Sequence, residues 1–475
     1  MAIGGPLSAL AARQAEGRPP GRSAGYGPLR PTPEKETGIA FLALPRGFQY
    51  RLVNKQGDPS TAFVTEGDPE TVPTPGVFDG MGAFRGPQGT TILVRNHENR
   101  ERSGEMEVIV PASKRYDPQP QYRAGNTQLT VGADRRVREV LHVLGGTSTN
   151  CAGGETPWGS WITCEETFED GGRPHGYNFE VPSGLDRPVE AEPIVAAGRF
   201  SHEAVAWLDN IMYQTEDRRE DAAFYRYLPG RQITAAGQLA RTNGTLQALR
   251  RVDVPDYDAD QAQTGESFAV EWVTIEEPDP PTDTVRKEAH AKGAINFDRL
   301  EGAWVGEGKV YFDATEGGPE TIELGQLWEY DPRRERLTLI YASRDRSELE
   351  NPDNVVFVPK TGDIFLQEDS PGEQFVRGVT QEGAIYDFAR TIVNDSEFCG
   401  GCFSGNGNTF FLNQQGGRGV GTSEQDIYEE GALTYAIWGP FARAKSGGSR
   451  GRSNGNGRSN GNGRSNGHGS GRPGR

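Results

Sequence analysis

The chain has 475 residues, a formal net charge of −17, 34% hydrophobic residues, 64 glycines, 32 prolines and a mean hydropathy of −0.66. So acidic a field repels nucleic acid and anionic membrane surfaces and suits a binder of cations, and no run of about 18 apolar residues offers a membrane span. Four cysteines, Cys151, Cys164, Cys399 and Cys402, are too few for a disulfide-built scaffold of this length, while abundant Gly and Pro favour short strands and tight turns over long helices.

In chain order, residues 1–37 read as an unstructured leader rich in Gly, Pro and Arg. Its start, MAIGGPLSALA, resembles the apolar end of an export signal with an A-x-A-like close at Ala9 to Ala11 and no basic segment before it. Residues 38–445 are expected to form a single all-β domain, and residues 446–475, a Gly/Asn/Arg-rich repeat with no apolar anchor, a disordered tail. Gly447 to Gly451 matches the serine-hydrolase elbow formally, but no strand precedes it and no helix follows.

Within the domain one pattern recurs six times: an apolar run, a turn with Gly, Asn or Asp, then a second apolar run ending in polar residues. The copies span Asp79 to Glu98, Gly154 to Glu166, Ser201 to Asp217, Arg299 to Glu316, Pro352 to Asp369 and Cys399 to Gln415. Each is a β-hairpin by pattern. Their spacing of roughly 45 to 100 residues leaves room for two more strands apiece, the four-stranded blade of a propeller. AFYRYLP after the third copy and QLWEYD after the fourth supply examples. A six-bladed β-propeller is therefore expected, with Leu228 to Val270 and Glu276 to Ala291 as long surface loops; two packed sheets are the alternative.

A hairpin returns its chain, so the residue opening its first strand and those closing its second share one end. The openers are Asp79, Glu155, Glu203, Glu301 and Asp353; the closers include His97-Glu98, Cys164-Glu165-Glu166, Glu216-Asp217, Thr315-Glu316 and Glu368-Asp369. Carboxylates are disfavoured in strands and repel one another, so their recurrence at both ends points to bound polyvalent cations, with acidic strand caps as the plainer explanation. Oxygen donors select hard ions such as Ca²⁺, Mg²⁺ or Fe³⁺, and the Cys164 thiolate suits one iron or zinc among them. Only six histidines occur, two of them in the motifs, which argues against a histidine-built zinc site. Cys399 and Cys402 read as a disulfide or two packed thiols, and Cys151 as packing.

The segment NCAGGETPWGSWITCEE, Asn150 to Glu166, closely resembles the signature of the PhoX-type alkaline phosphatases. Gly198 to Glu203, Asp298 to Glu301, Pro352 to Asn354 with Leu366 to Asp369, and Gly401 to Asn413 resemble that family's further landmarks in order. The resemblance implies a six-bladed propeller that hydrolyses phosphate monoesters with iron and calcium, Fe³⁺ and Ca²⁺, at the channel mouth. It implies Cys164 as iron ligand, Glu203 and Glu301 as metal-binding glutamates, Arg299 as the phosphate-binding arginine, and Glu165, Glu166, Asp353, Glu368 and Asp369 as further metal ligands. Leu300 stands where the family has proline, and no twin arginine precedes the apolar start. The partners expected are small-molecule phosphate esters, not nucleic acid, acting on a monomer; export to the periplasm or the medium is implied by the family.

Two rivals stay open on the residues alone. A calcium-dependent lactonase or arylesterase propeller would use the carboxylates without Cys164, and a non-catalytic propeller would use Ca²⁺ for rigidity only. Fold by itself does not choose among them.

Overall fold

The computed structural model describes residues 25–100, 106–319, 322–417 and 419–442. The expected export segment and the tail 446–475 fall outside the described residues. All six hairpins form: Phe78–Arg85 with Thr91–His97, Asn150–Glu155 with Ser160–Glu165, His202–Leu208 with Ile211–Glu216, Leu300–Gly306 with Lys309–Ala314, Pro352–Phe357 with Ile364–Glu368, and Phe398–Phe403 with Thr409–Gln414. Further antiparallel strands extend each one outward. The two read from sequence are present as Tyr225–Pro229 and Gln326–Asp331. The two α-helices among the described residues, Val285–Ala291 and Glu424–Glu430, are short, and neither is long and apolar enough to cross a membrane.

The first strands of the six hairpins are the inner ones, and each contacts the next around a closed ring: the strand at Phe78 lies against those at Asn150 and Phe398, and the others follow in chain order. Gly80, Ala152, Ala204, Gly302, Asn354 and Gly400, the third residue of each inner strand, line one small common void. The result is an all-β, propeller-like arrangement. Small residues are required on this axis: a Cβ on Gly80 would come 2.6 Å from Ala152 Cα, and one on Gly302 would come 2.5 Å from the Val355 nitrogen.

Three features depart from the sequence reading. The chain is ordered before Gly38, since Leu29–Thr32 pairs antiparallel with Leu42–Pro45 and Tyr26 packs edge-on against Phe48 and Phe388. Neither Leu228 to Val270 nor Glu276 to Ala291 is a loop throughout: Gly244–Arg251 and Ser267–Thr274 are paired antiparallel strands, and Val285–Ala291 is a helix. Ser267–Thr274 also pairs with Arg336–Ala342, welding the third and fourth hairpin units into one nine-stranded sheet. Third, Gln49–Lys55 forms the outer strand of the last unit, paired with Leu433–Trp438, so the two ends of the domain share a sheet.

Aromatic and aliphatic side chains fill the wedges between neighbouring sheets. Phe224 stacks on Phe312 at 4.2 Å between the third and fourth units, and Phe365 stacks on Phe388 at 4.4 Å in the fifth, near Phe410 of the sixth. Stacked pairs add roughly 0.5–1.5 kcal/mol to the transfer energy of the buried rings. This packing holds the inner strands in place.

Candidate metal centre

Each inner strand is bulged where it begins. The register slips between Phe78 and Met81, Asn150 and Gly153, His202 and Val205, Leu300 and Ala303, Pro352 and Asn354, and Cys399 and Cys402. A bulge bends its strand and re-aims a side chain. The second residue of each strand lies in this segment: Asp79, Cys151, Glu203, Glu301, Asp353 and Cys399. The residue just after each returning strand, Glu98, Glu166, Asp217, Thr315, Asp369 or Gln415, donates its N–H to the carbonyl of the residue just before the inner strand. Four of those preceding residues, Val77, Thr149, Arg299 and Asn351, have φ between 46° and 52°. A left-handed backbone at a β-branched or bulky residue costs on the order of 1–3 kcal/mol and clusters at functional sites.

These repeats bring nine carboxylates, from Asp79, Glu98, Glu166, Glu203, Asp217, Glu301, Asp353, Asp369 and Glu397, to one end of the ring, where neighbouring members act on one another's protonation. Two groups have ligand atoms within 4.8 Å of each other: Glu98 with Cys151 and Glu166, and Glu203 with Glu301 and Asp353. Cys151 Sγ lies 3.5 Å from Asp79 Oδ2. Arg100 pairs with Glu98 and, at 2.8 Å, with Glu166. Arg299 grips Asp217 through Nε and Nη2, both at 2.9 Å, and reaches Glu301 at 2.6 Å.

The electrostatics favour cations strongly. Burial first, then the charge of Glu301 and Glu166, pushes Glu203 well above the usual carboxylate range. Burial and then Asp353 and Glu98 do the same for Asp79, and burial with Asp217 for Glu301. Asp353 is pushed up to about 8 by burial and Asp369. Glu203 is fully buried, and neither of its carboxylate oxygens meets a hydrogen-bond donor among the described residues. A buried, unpaired carboxylate costs several kcal/mol, which a bound cation offsets. The oxygen-rich donor set, with the Cys151 thiol beside Glu98 and Glu166, fits hard cations.

The residues expected from sequence divide. Glu203, Glu301, Asp353 and Glu166 come together, with Arg299 beside them and Asp369 at the edge. Cys164 lies elsewhere, in an apolar cluster with Ile162, Ile194 and Phe200, where burial pushes its thiol up. It occupies the position that Asn96, Thr215, Asp313, Gln367 and Asn413 take in the other hairpins, which turns toward the next sheet. Cys151, read from sequence as packing, is a thiol among the carboxylates, and so is Cys399, which lies near Asp79 and Glu397 and donates to the Phe78 carbonyl at 3.1 Å. Both oxygens of Glu165 are already occupied, one by His175 Nδ1 at 2.7 Å and Ser148 N at 3.0 Å, the other by Gly176 N at 2.9 Å. Glu368 is bound by Arg377 Nε at 2.8 Å. Glu155 stands at the opposite, turn end of its hairpin, where it accepts from Ala83 N at 2.7 Å. Cys399 and Cys402 are free and buried. Glu397 escaped the sequence reading because it precedes its strand rather than opening or closing it.

One end of the ring of inner strands thus crowds carboxylates beside buried thiols and a clamped arginine, a constellation suited to holding cations next to an anion-binding group. The model of the family "Alkaline phosphatase PhoX" matches residues 24–417, and the chain belongs to that family. Membership makes it an alkaline phosphatase and sets aside the lactonase and non-catalytic readings. Among solved structures, Pseudomonas fluorescens PhoX in complex with vanadate, a transition-state analogue, is 17% identical with a TM-score of 0.62, covering 87% of this chain and 97% of that one. A gluconolactonase from Xanthomonas campestris is 11% identical with a TM-score of 0.38, covering 88% of this chain and 98% of that one, a likeness too loose to carry an argument. No curated protein matches significantly.

Proposed function

We propose that the chain is a six-bladed propeller that hydrolyses phosphate monoesters at a calcium- and iron-binding cluster of carboxylates and one thiolate, set at the channel mouth where the inner strands begin. The observation that carries this reading is Glu203, buried with both oxygens unpaired beside Glu301 and Asp353. That all-oxygen trio suits Ca²⁺. Glu98, Cys151 and Glu166, with Asp79 close by, suit Fe³⁺ through the softer sulfur.

When bound, such cations supply the concentrated positive charge that polarises phosphoryl oxygens and stabilises both the attacking and the leaving oxygen. Phosphate monoester hydrolysis is among the slowest uncatalysed reactions, with accelerations reaching ~10²¹-fold, so several charges must act together. Arg299 adds a fixed positive charge beside the cations, with Nη1 the nitrogen left clear of Asp217 and Glu301 to reach a phosphoryl oxygen. Asp217 and Glu301 hold its guanidinium in one orientation before substrate arrives, and they keep it charged. The carboxylates bind protons and cations in competition, so cation occupancy rises as pH rises into the alkaline range. Export to the periplasm or medium belongs to the same proposal.

The test is p-nitrophenyl phosphate hydrolysis at alkaline pH with Ca²⁺ supplied, with bound iron assayed in wild type, Cys151→Ala and Cys164→Ala. Iron and activity should fall together in Cys151→Ala and persist in Cys164→Ala. Loss confined to Cys164→Ala would return the iron site to the residue implied by the signature.

A further inference from the structure

In four of the six hairpins the residue before the last in the returning strand hydrogen-bonds sideways to the neighbouring inner strand, at its bulge. Asn96 Nδ2 donates to the carbonyls of Cys151 at 2.6 Å and Ala152 at 2.7 Å. Asn413 Nδ2 donates to the Asp79 carbonyl at 2.7 Å. Gln367 Oε1 accepts from Gly401 N at 2.6 Å. Thr215 does this in the most constrained way. Its hydroxyl accepts from Ala204 N at 2.8 Å and donates to the Glu301 carbonyl at 2.5 Å.

Ala204 follows Glu203 in its own strand, so one buried hydroxyl ties the backbones bearing Glu203 and Glu301 together. It is a hydrogen-bonded link between the third and fourth inner strands at the level of the carboxylates. Nothing else about Thr215 calls for a hydroxyl: valine has the same shape and a higher preference for strands. An unlinked pair of like-charged carboxylates would spread apart, because their repulsion is strong where water is excluded.

We propose that Thr215 is a positioning residue for the cation held by Glu203, Glu301 and Asp353: its hydroxyl sets the spacing of the first two carboxylates by bridging Ala204 N–H and Glu301 C=O. The inference rests on the proposed Ca²⁺ reading of that trio. Partners that orient metal ligands typically alter affinity 10- to 100-fold when lost, and the same range is expected here.

The experiment compares wild type, Thr215→Val and Thr215→Ser as full chains, by Ca²⁺ titration of the chelator-stripped protein followed by calorimetry and by recovery of phosphatase activity. Thr215→Val should raise the Ca²⁺ midpoint about 10- to 100-fold, with KM for p-nitrophenyl phosphate at saturating Ca²⁺ nearly unchanged, and Thr215→Ser should restore the wild-type midpoint. A Thr215→Val midpoint equal to wild type overturns the proposal. So does a loss that Thr215→Ser fails to restore, which would show that the methyl packing, not the hydroxyl, matters. If wild type itself binds no Ca²⁺, the reading of the trio fails instead. Should Thr215→Val not fold, Thr215→Ala removes the same hydroxyl without the extra branch: a Ca²⁺ midpoint raised about 10- to 100-fold is the expected result, and a wild-type midpoint overturns the proposal.

Discussion

The two halves of the carboxylate ring are neutralised differently. Around Cys151, Glu98 and Glu166 share the guanidinium of Arg100. Around Glu203, Arg299 reaches Glu301 but spends two of its nitrogens on Asp217, and Glu203 is left bare. Both carboxylates of the first half therefore have an arginine, whereas in the second Glu203 depends on an ion from solution. Stripping cations should damage the Glu203 half more.

The largest effect expected is from Glu203→Ala. It should lower kcat about 100- to 1,000-fold, the scale on which losing one electrostatic contribution to a transition state is felt, while raising the unfolding temperature of the metal-stripped protein, because a buried unpaired charge has been removed. A stripped protein no more stable than wild type would break the contrast between the halves. Next, Arg299→Lys should raise KM and lower kcat/KM by about 10- to 100-fold, since a point charge cannot copy the fork. Steady-state kinetics at saturating cation decides it. Arg100→Gln should act more weakly, on the order of tenfold, and chiefly on iron content, measured in the purified protein.

The smallest effect tests the opposite end of the hairpins. Burial pushes Glu155 up to about 7. Its folded value lies above its unfolded one, so its contribution to stability is complete below about pH 4.5 and is lost as pH rises through 7. Glu155→Gln should flatten the fall in denaturant stability between pH 5 and 8, by on the order of 2 kcal/mol at the alkaline side, and leave phosphatase activity unchanged. An activity loss would mean that this end takes part in the reaction.

How far the sequence reached can be judged from the same residues. The hairpins, and Glu203, Glu301 and Asp353, were legible because strand return is a local rule that pattern reveals. Cys151 and Glu155 were exchanged because the second copy was framed from Gly154, whereas its strand begins at Asn150. A one-residue bulge at each strand start shifts which side chain faces inward, and nothing in a two-residue period announces it. A signal was present all the same: an acid followed by a small or short residue, as in Asp79-Gly80, Glu203-Ala204, Glu301-Gly302 and Asp353-Asn354, sets Cys151-Ala152 and Cys399-Gly400 in the same column. Glu165 and Glu368 are drawn to other partners for a different reason. Their neighbours His175 and Arg377 are brought to them by loops and strands whose approach belongs to the tertiary fold.

The sharing of the last sheet by both ends of the domain sets a temporal order. Leu433 pairs with Lys55, and Tyr435 with Leu52, so during synthesis the segment near Lys55 must wait, unpaired, until nearly the whole domain has emerged. A contact between residues so distant in sequence carries a heavy loop-closure penalty and makes for slow folding. Until those strands dock, Thr409–Gln414 lacks its outer neighbour, and the contact between the Phe398–Phe403 and Phe78–Arg85 strands is unbraced from outside. The last stitch of the chain therefore braces a ring whose inner strands are already made, and a ribosome-bound fragment short of Leu433 should have the hairpins but hold its cations less tightly than the whole domain.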